Sequence, residues 1–309
     1  MKLAFFNDWR LGVVNGDQIV DVMDAVSLVP RVGAHDLING VIERWDTYKS
    51  KIEAAAKGKG VPLASVTLRP PLPRPINIDC MAVNYMEDGT RTEPAPINGF
   101  PKSANCVIGP GQAMIMPDIP MTAFEGEAEL GLVIGKSGHN IAAANWRDHV
   151  FGYVNFIDGS ARGLPPPGAV FYQMKNRETY APIGPWIVTA DEVPDPQKLQ
   201  VRLWVNGELR QNFNTADMAH KIPRTIEWVS AMHTLNPGDI LATGTNHGGL
   251  SSLMDGETVE LECDHCGRLK VTVKDDLKRK WPSVTRLAGG DRSKGSVQIS
   301  GKYVPASKG

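Results

Sequence analysis

The sequence has no excess of charge of either sign, because 33 lysines and arginines face 34 aspartates and glutamates in a chain of 309 residues. Proteins that bind nucleic acid or an anionic membrane concentrate lysine and arginine, which neutralise phosphate groups. The densest basic run, Lys278-Arg279-Lys280, is short and more typical of a solvated face or a helix end. The charge pattern therefore predicts neither a nucleic-acid partner nor a membrane partner.

Long hydrophobic runs are also missing from the sequence. No stretch approaches the roughly 18 apolar residues that a membrane-spanning helix requires. Residues 1–14 contain charged side chains and lack the apolar segment of a secretory signal peptide. We therefore expect a cytoplasmic protein.

Cysteine is scarce, and the four that occur are Cys80, Cys106, Cys263 and Cys266. They are too few and too scattered for a disulfide framework in a chain of this length. The last two form a Cys-x-x-Cys motif, which is half of a zinc site, but no second half follows. The simpler interpretation is a turn between two strands whose thiols have no metal-binding role.

Residues 1–70 are predicted to form a small N-terminal domain rich in β-strands. Its short apolar runs are separated by Asn7-Asp8 and Asn15-Gly16-Asp17, which favour hairpin turns. Apolar residues then recur at three- and four-residue steps between about 34 and 57, as on one face of an amphipathic helix. The proline-rich segment 69–75 marks the domain boundary, because proline fixes φ and removes a hydrogen-bond donor.

Residues 71–285 are predicted to form a second domain of many short strands and few helices. The Asn206-Gly207 pair indicates a tight hairpin, and one helix is expected from about Ile222 to His233. The fold class is therefore α+β and mainly β. Residues 286–309, which become rich in Gly, Ser and Lys, are expected to form a C-terminal tail that is mobile or lies on a partner.

A pair of carboxylates, Glu127 and Glu129, stands at the start of an apolar strand. Side chains alternate across a strand, so both carboxylates point to the same face. Two anions on one face repel each other unless a cation joins them, and Mg²⁺ or Mn²⁺ prefers oxygen ligands. Asp158, at the end of another apolar run, would supply a third carboxylate, and neither segment contains the His or Cys typical of zinc sites. From spacing alone, a solvated acidic strand face explains the pair at least as well.

Six groups of segments between about Pro71 and Asp276 carry more specific information. They are Glu127-Ala128-Glu129-Leu130 with Val133-Ile134-Gly135-Lys136, Asp158 with Ser160-Ala161-Arg162, Lys175 with Tyr180-Ala181-Pro182-Ile183-Gly184-Pro185-Trp186, Asn206-Gly207-Glu208 with Gln211, Asn214-Thr215-Ala216-Asp217-Met218, and Thr234-Leu235-Asn236-Pro237-Gly238-Asp239 running on to Thr243-Gly244-Thr245. In this order the segments resemble the fumarylacetoacetate hydrolase family. Any one of them is weak evidence, but the six together are highly specific.

The resemblance implies a catalytic domain built as a mixed β-sheet roll or sandwich, usually a homodimer, that holds Mg²⁺ or Mn²⁺. It implies activity on acylpyruvates or related small 2-oxo acids. Glu127, Glu129 and Asp158 match the family's metal ligands, and Lys175 matches its active-site lysine. Three further side chains are expected to bind the substrate: Tyr85, Arg162 and Thr245.

The lid segment departs from the family pattern. Hydrolases of the family carry a His and a Glu after an Asn-Tyr pair, and that dyad activates water. Here Asp88 stands where the His is expected and Arg91 where the Glu is expected. The Gln that usually follows the Ser-Ala-Arg turn is also missing, and residues 163–167 take its place. The candidate replacements for the lost base are Glu87, Asp88 and His247.

These features favour a metal-dependent hydrolase that cleaves a C–C bond of an acylpyruvate-like 2,4-dioxo acid through a metal-stabilised enolate. A decarboxylase, isomerase or hydratase acting on a 2-oxo acid of aromatic-compound catabolism would use the same enolate without activating a water molecule. A catalytically inactive oxo-acid-binding protein is the alternative outside the enzymes, although a scaffold has no need of a buried carboxylate cluster.

Overall fold

The computed structural model describes residues 1–164 and 171–291, which form two β-sheets accompanied by few helices. The larger sheet has 12 strands and the smaller sheet has five. The predicted α+β class, mainly β, is confirmed. Residues 165–167 of the segment that replaces the family's Gln, and the predicted tail beyond residue 291, lie outside the described residues.

The strands are numbered in chain order. They are β1 (Lys2–Phe6), β2 (Arg10–Asn15), β3 (Gln18–Asp21), β4 (Val61–Pro62), β5 (Leu68–Arg69), β6 (Ile78–Met81), β7 (Gly99–Lys102), β8 (Val107–Ile108), β9 (Ala113–Ile115), β10 (Ala123–Ile134), β11 (Val150–Arg162), β12 (Ala181–Thr189), β13 (Gln200–Val205), β14 (Glu208–Asn214), β15 (Ile240–Ala242), β16 (Thr258–Cys263) and β17 (Arg268–Lys274). The α-helices are α1 (Ala34–Glu43), α2 (Trp45–Ala55), α3 (Phe171–Lys175) and α4 (Ile222–Met232).

The N-terminal strands belong to the larger sheet, whose order is β4-β3-β2-β1-β12-β11-β10-β15-β6-β7. β1 pairs antiparallel with β12, where Lys2 lies opposite Val188 and Leu3 lies opposite Ile187. The smaller sheet runs in the order β14-β13-β16-β17-β9. A domain division at residue 70 stays a prediction, and the hydrogen-bonded sheet continues across it.

Two helices, α1 and α2, occupy the segment that the periodicity predicts as one helix. Arg44 interrupts them with a non-helical backbone conformation, φ −111° and ψ 34°. Trp45, the first residue of α2, packs edge-on against Phe151 of β11, with ring centroids 4.9 Å apart. This aromatic contact joins parts of the chain that are distant in sequence.

β10 and β11 form the centre of the molecule, and every residue of both strands is buried. They pair antiparallel along their whole length, with one irregularity near Val133. Gly152 allows β12 to approach, because a Cβ at this position would collide with the carbonyl oxygen of Val188. Strands that are buried on both faces consist mainly of apolar residues. Because burying a charge is costly, any charged residue within them needs an oppositely charged or hydrogen-bonding partner.

Several smaller predictions agree with the structure. The predicted helix near 222–233 is α4, with Pro223 in its first turn. The hairpin between β13 and β14 turns at Asn206 and Gly207, both at positive φ (51° and 81°), as a type I′ turn requires. All four cysteines are free and buried. None of the helices in the described ranges has both the length and the apolar character that a bilayer span needs.

Candidate active site

The pairing of β10 with β11 brings three carboxylates together. Glu127 lies directly opposite Asp158 in the ladder, and Glu129 follows two residues later on the same face. Each of the three offers an oxygen within 4.8 Å of the others, and all three residues are buried. We call Glu127, Glu129 and Asp158 the carboxylate trio. Its grouping is the one that the alternation of the two strands predicts.

Among the three carboxylates of the trio, the surroundings of Glu129 most clearly favour binding of a cation. Its Oε2 accepts a hydrogen bond of 2.7 Å from the backbone N–H of Gly244, but its buried Oε1 has no hydrogen-bond partner among the described residues. Burial raises the pKa of Glu129 well above its usual range, and the charges of Asp158 and Glu127 raise it further. A buried acceptor without a donor costs about 1–3 kcal/mol. The all-oxygen donor set therefore fits Mg²⁺ or Mn²⁺.

Two buried lysines contact the two carboxylate oxygens of Asp158. Lys175, the last residue of α3, donates to Asp158 Oδ2 at 2.5 Å and to Ser160 Oγ at 2.8 Å, and its Nζ lies 2.9 Å from Glu127 Oε1. Lys102, the last residue of β7, donates to Asp158 Oδ1 at 2.5 Å. Burial lowers the pKa of Lys175, but the charges of Asp158 and Glu127 outweigh it and the pKa is raised overall. The ammonium group of Lys175 is thus held charged beside the trio.

Arginines extend this charged network along β10. Arg162 donates to Glu125 Oε2 at 2.7 Å and also to Glu127 Oε1. Arg286 donates through Nε and Nη2 to the two oxygens of Glu125, at 3.0 and 2.5 Å. The carboxylate of Glu125 is therefore engaged by two guanidinium groups, so we do not count Glu125 as a further metal ligand beside the carboxylate trio.

The lid residues contact the loop that follows β15. Glu87 accepts from the backbone N–H of His247 at 2.7 Å, and its other oxygen lies 2.6 Å from His247 Nδ1. Asp88 instead accepts from Asn246 Nδ2 at 3.1 Å. Glu87 and Asp88 both have positive φ, 56° and 52°, a strained conformation for residues other than glycine. The three predicted base candidates thus divide into a Glu87–His247 pair and a separate Asp88.

His247 is close enough to the trio for its charge to act on Glu127. Although burial raises the pKa of Glu127, the charges of Lys175, Arg162 and His247, in decreasing order, bring it well below its usual range. In the described part of the chain, His247 Nε2 has no hydrogen-bond partner. This nitrogen is therefore available to a substrate or a water molecule.

Thr245 and Tyr85, the other predicted substrate-binding residues, make different kinds of contact. Thr245 Oγ1 accepts from Gln211 Nε2 at 2.8 Å, and Gln211 Oε1 accepts from the backbone N–H of Ala128 at 3.0 Å, which ties the loop to the metal-binding strand. Tyr85 is fully buried, and its ring packs edge-on against Phe213 at 4.9 Å. Its predicted substrate contact stays a prediction.

Sequence reasoning missed Lys102 and Arg286. Neither residue lies in a pattern that links it to the trio, because sheet pairing and a returning C-terminal segment bring them there. A charged residue at the end of a short apolar strand, as in Gly99-Phe100-Pro101-Lys102, was the one available signal for the lysine.

Comparison with known proteins shows which family the chain resembles. The model of the C-terminal domain of fumarylacetoacetate (FAA) hydrolase matches residues 78–274. A maleylpyruvate hydrolase of Aquipseudomonas alcaligenes is 31% identical over 294 residues, which cover 89% of this chain and 99% of that protein. An oxaloacetate tautomerase of Xenopus laevis is 36% identical over 218 residues, 67% of this chain and 68% of that protein.

A solved structure is similar over the same extent. The maleylpyruvate hydrolase from Sphingobium sp. SYK-6, in complex with manganese(II) and pyruvate, superimposes with a TM-score of 0.80 at 37% sequence identity. The match covers 89% of this chain and 99% of that one. The matched family model, the near full-length relatives and the buried carboxylate trio agree with the resemblance found in the sequence. The chain belongs to the fumarylacetoacetate hydrolase family.

Proposed function

We propose that this protein is a metal-dependent hydrolase that cleaves a C–C bond of an acylpyruvate-like 2,4-dioxo acid. The observation that carries the proposal is the buried carboxylate trio, with oxygens within 4.8 Å of one another and with Glu129 Oε1 unpartnered in the described ranges. Two maleylpyruvate hydrolases that align with 89% of the chain support the substrate class. Pyruvate, which one of them binds, is the product that hydrolysis of any acylpyruvate releases.

The trio would hold Mg²⁺ or Mn²⁺ through its carboxylate oxygens, the ligands that these cations prefer. When bound there, the cation would supply a Lewis acid for the 2-oxo acid. Thr245, fixed by Gln211 beside the metal-binding strand, binds the substrate carboxylate in this proposal.

His247 acts as the general base, and Glu87 orients it. With Nδ1 held by Glu87 at 2.6 Å, Nε2 takes a proton from water, whose oxygen adds to the acyl carbonyl carbon. The bond between that carbon and the methylene group then breaks, and its electron pair forms the enolate of pyruvate. The proton on Nε2 passes to the methylene carbon, which completes two carboxylic acids. Asp88 is less suited to this role because its carboxylate is engaged by Asn246.

Lys175 stabilises the negative charge that develops as the C–C bond breaks. Its ammonium group is buried, charged and fixed by Asp158 and Ser160. Preorganised cations in a water-poor site stabilise developing charge more effectively than solvent does. Lys102 donates to the other oxygen of Asp158 and positions this carboxylate.

A second candidate function is tautomerisation, isomerisation or decarboxylation of a 2-oxo acid. Two observations favour it: Asp88 and Arg91 occupy the positions where a hydrolytic His and Glu are expected, and an oxaloacetate tautomerase is 36% identical. These reactions pass through an enolate but require no activated water. The two candidates differ in their products.

Turnover of a panel of acylpyruvates and of oxaloacetate, with Mg²⁺, Mn²⁺ or EDTA, tests the proposal. We expect metal-dependent release of two acids, and its loss in Glu127→Ala/Glu129→Ala. Glu260→Ala/Glu262→Ala is the matched control, since these glutamates have the same spacing on the partly exposed face of β16. Conversion between keto and enol forms, or release of CO₂, would select the second candidate. Turnover that is unchanged by EDTA and by the Glu127→Ala/Glu129→Ala substitution would refute both candidate functions. A homodimer and a cytoplasmic location stay predictions.

A further inference from the structure

A cavity of about 300 Å³ lies between helix α4 and strands β6 and β7, at one edge of the larger sheet. Lys102 of β7 points toward Asp158 of the trio. Its neighbour Pro101 lies opposite Asp79 of β6, whose side chain contacts His233 just after α4. Because neighbouring side chains of a strand point to opposite faces, the side chain of Asp79 lies on the face turned away from the trio. The cavity beside Asp79 is therefore separate from the candidate active site.

Asp79 presents an unsatisfied oxygen to this cavity. Its Oδ1 lies 3.2 Å from His233 Nε2, but its buried Oδ2 has no hydrogen-bond partner within residues 1–164 and 171–291. A buried acceptor that has lost water and gained no donor is costly to the folded protein. A ligand that brings an N–H group to Oδ2 would recover this cost.

The charge around Asp79 is negative. His233 Nδ1 lies 3.1 Å from a backbone carbonyl oxygen and Nε2 faces the carboxylate, so both contacts become hydrogen bonds only in the imidazolium form. The other charge that acts on Asp79 is the carboxylate of Asp239. Two carboxylates beside one imidazolium leave a negative charge in excess. Lys102 also belongs to the lining, but its ammonium group is engaged by Asp158 on the other face.

The walls of the cavity are mainly apolar and include an aromatic surface. Trp228 of α4 lies against β7 at Gly99, where an added Cβ would come within 3.1 Å of the indole ring. Ile76 and Met232, which also line the cavity, are 66% and 58% exposed, so its apolar surface continues to solvent. An apolar pocket with a few convergent polar groups is the usual form of a small-molecule site.

We propose that this cavity binds a small organic cation, a primary amine attached to an apolar ring or chain. The ammonium group donates to Asp79 Oδ2 and balances the excess negative charge. The apolar part lies against Trp228 and Met232, and the indole face of Trp228 also attracts a cation. A cavity of about 300 Å³ is at the small end of ligand pockets, which limits the ligand to about the size of one bicyclic amine. The site does not depend on the proposed hydrolase activity.

Calorimetry with two ligands that share an indole ring tests the proposal. Tryptamine carries an ammonium group and tryptophol carries a neutral hydroxyl group, each on a two-carbon chain. We expect the wild type to bind tryptamine about tenfold more tightly than tryptophol, because charge-assisted hydrogen bonds are roughly twice as strong as neutral ones. Asp79→Asn should remove this preference and keep tryptophol binding, which shows that the cavity is intact. The matched control is Glu227→Gln, which removes a carboxylate of α4 that pairs with Arg224 outside the lining and should leave the preference unchanged.

A second substitution changes the affinity in the opposite direction. His233→Gln removes the imidazolium that shares Asp79, so tryptamine should bind this variant more tightly than the wild type. This result decides the matter if Asp79→Asn does not fold. Weaker tryptamine binding by His233→Gln, equal tryptamine binding by Asp79→Asn and the wild type, or no detectable tryptamine binding at millimolar concentration would each overturn the proposal. Unchanged affinity of Trp228→Leu for both ligands would place them elsewhere on the protein and would also overturn it.

Discussion

At the scale of single residues, Glu129 has the least favourable surroundings of the trio in the absence of a metal. Burial and the charges of Asp158 and Glu127 raise its pKa, whereas the unfolded chain releases this proton near 4.5. Above pH 4.5 the folded protein therefore binds more protons than the unfolded chain, and its stability falls as pH rises toward the raised pKa. In EDTA we expect the Tm to fall between pH 5 and 8 more steeply for the wild type than for Glu129→Gln. Parallel Tm curves would contradict the raised pKa.

Lys175 allows a similar test of charge. Lys175→Met should lower kcat by about 10²- to 10³-fold, the range for loss of one preorganised donor. Mn²⁺ should bind at least as tightly, because the change removes a cation that lies 2.5 Å from Asp158 and 2.9 Å from Glu127. Measured kcat and Mn²⁺ titration by electron paramagnetic resonance give the two numbers. Loss of Mn²⁺ binding together with activity would mean that Lys175 shapes the trio and does not stabilise charge.

The sequence predicts the residues of this site unequally. Strand alternation predicts Glu127 and Glu129 on one face, and the antiparallel ladder explains why Asp158 joins them. Lys102 reaches Asp158, and Arg286 reaches the neighbouring Glu125, from distant segments of the chain. No spacing along the chain encodes such a meeting, because sheet pairing and loop packing decide it.

At the scale of structural elements, the lid and the loop after β15 meet through Glu87 and His247. His247→Gln should lower hydrolysis by about 10²- to 10⁴-fold, the contribution of a general base. The exposed His139 supplies the control variant, His139→Gln. Mn²⁺ affinity should be unchanged, since His247 is not part of the trio. Hydrolysis at the wild-type rate in His247→Gln would remove the Glu87–His247 pair from the mechanism.

Elements with strong local signals were predictable, and those set by distant contacts were not. The Asn206-Gly207 turn and helix α4 follow from residues that prefer these conformations. The break at Arg44 does not, because the apolar periodicity continues through it and the Trp45–Phe151 contact lies far away in sequence. Tertiary packing overrides local preference at this point.

At the scale of the whole molecule, the N-terminal strands continue the sheet that contains the trio. Removing residues 1–70 would expose the edge of β12 and the apolar residues beneath α1 and α2. Exposed strand edges pair with other chains. We therefore expect the fragment 71–309 to aggregate, which size-exclusion chromatography would detect. A folded, soluble fragment with the metal affinity of the full chain would instead establish residue 70 as a true domain boundary.

The segment 286–290 bears on how relatives of this protein should be compared. It lies outside the region that defines the family, yet its arginine contacts the strand of the trio. Two proteins with the same matched region can therefore place different side chains beside the strand of the trio. Grouping such proteins by the shared region alone would combine proteins that differ in charge beside this strand, and alignment of the residues after the last strand would separate them.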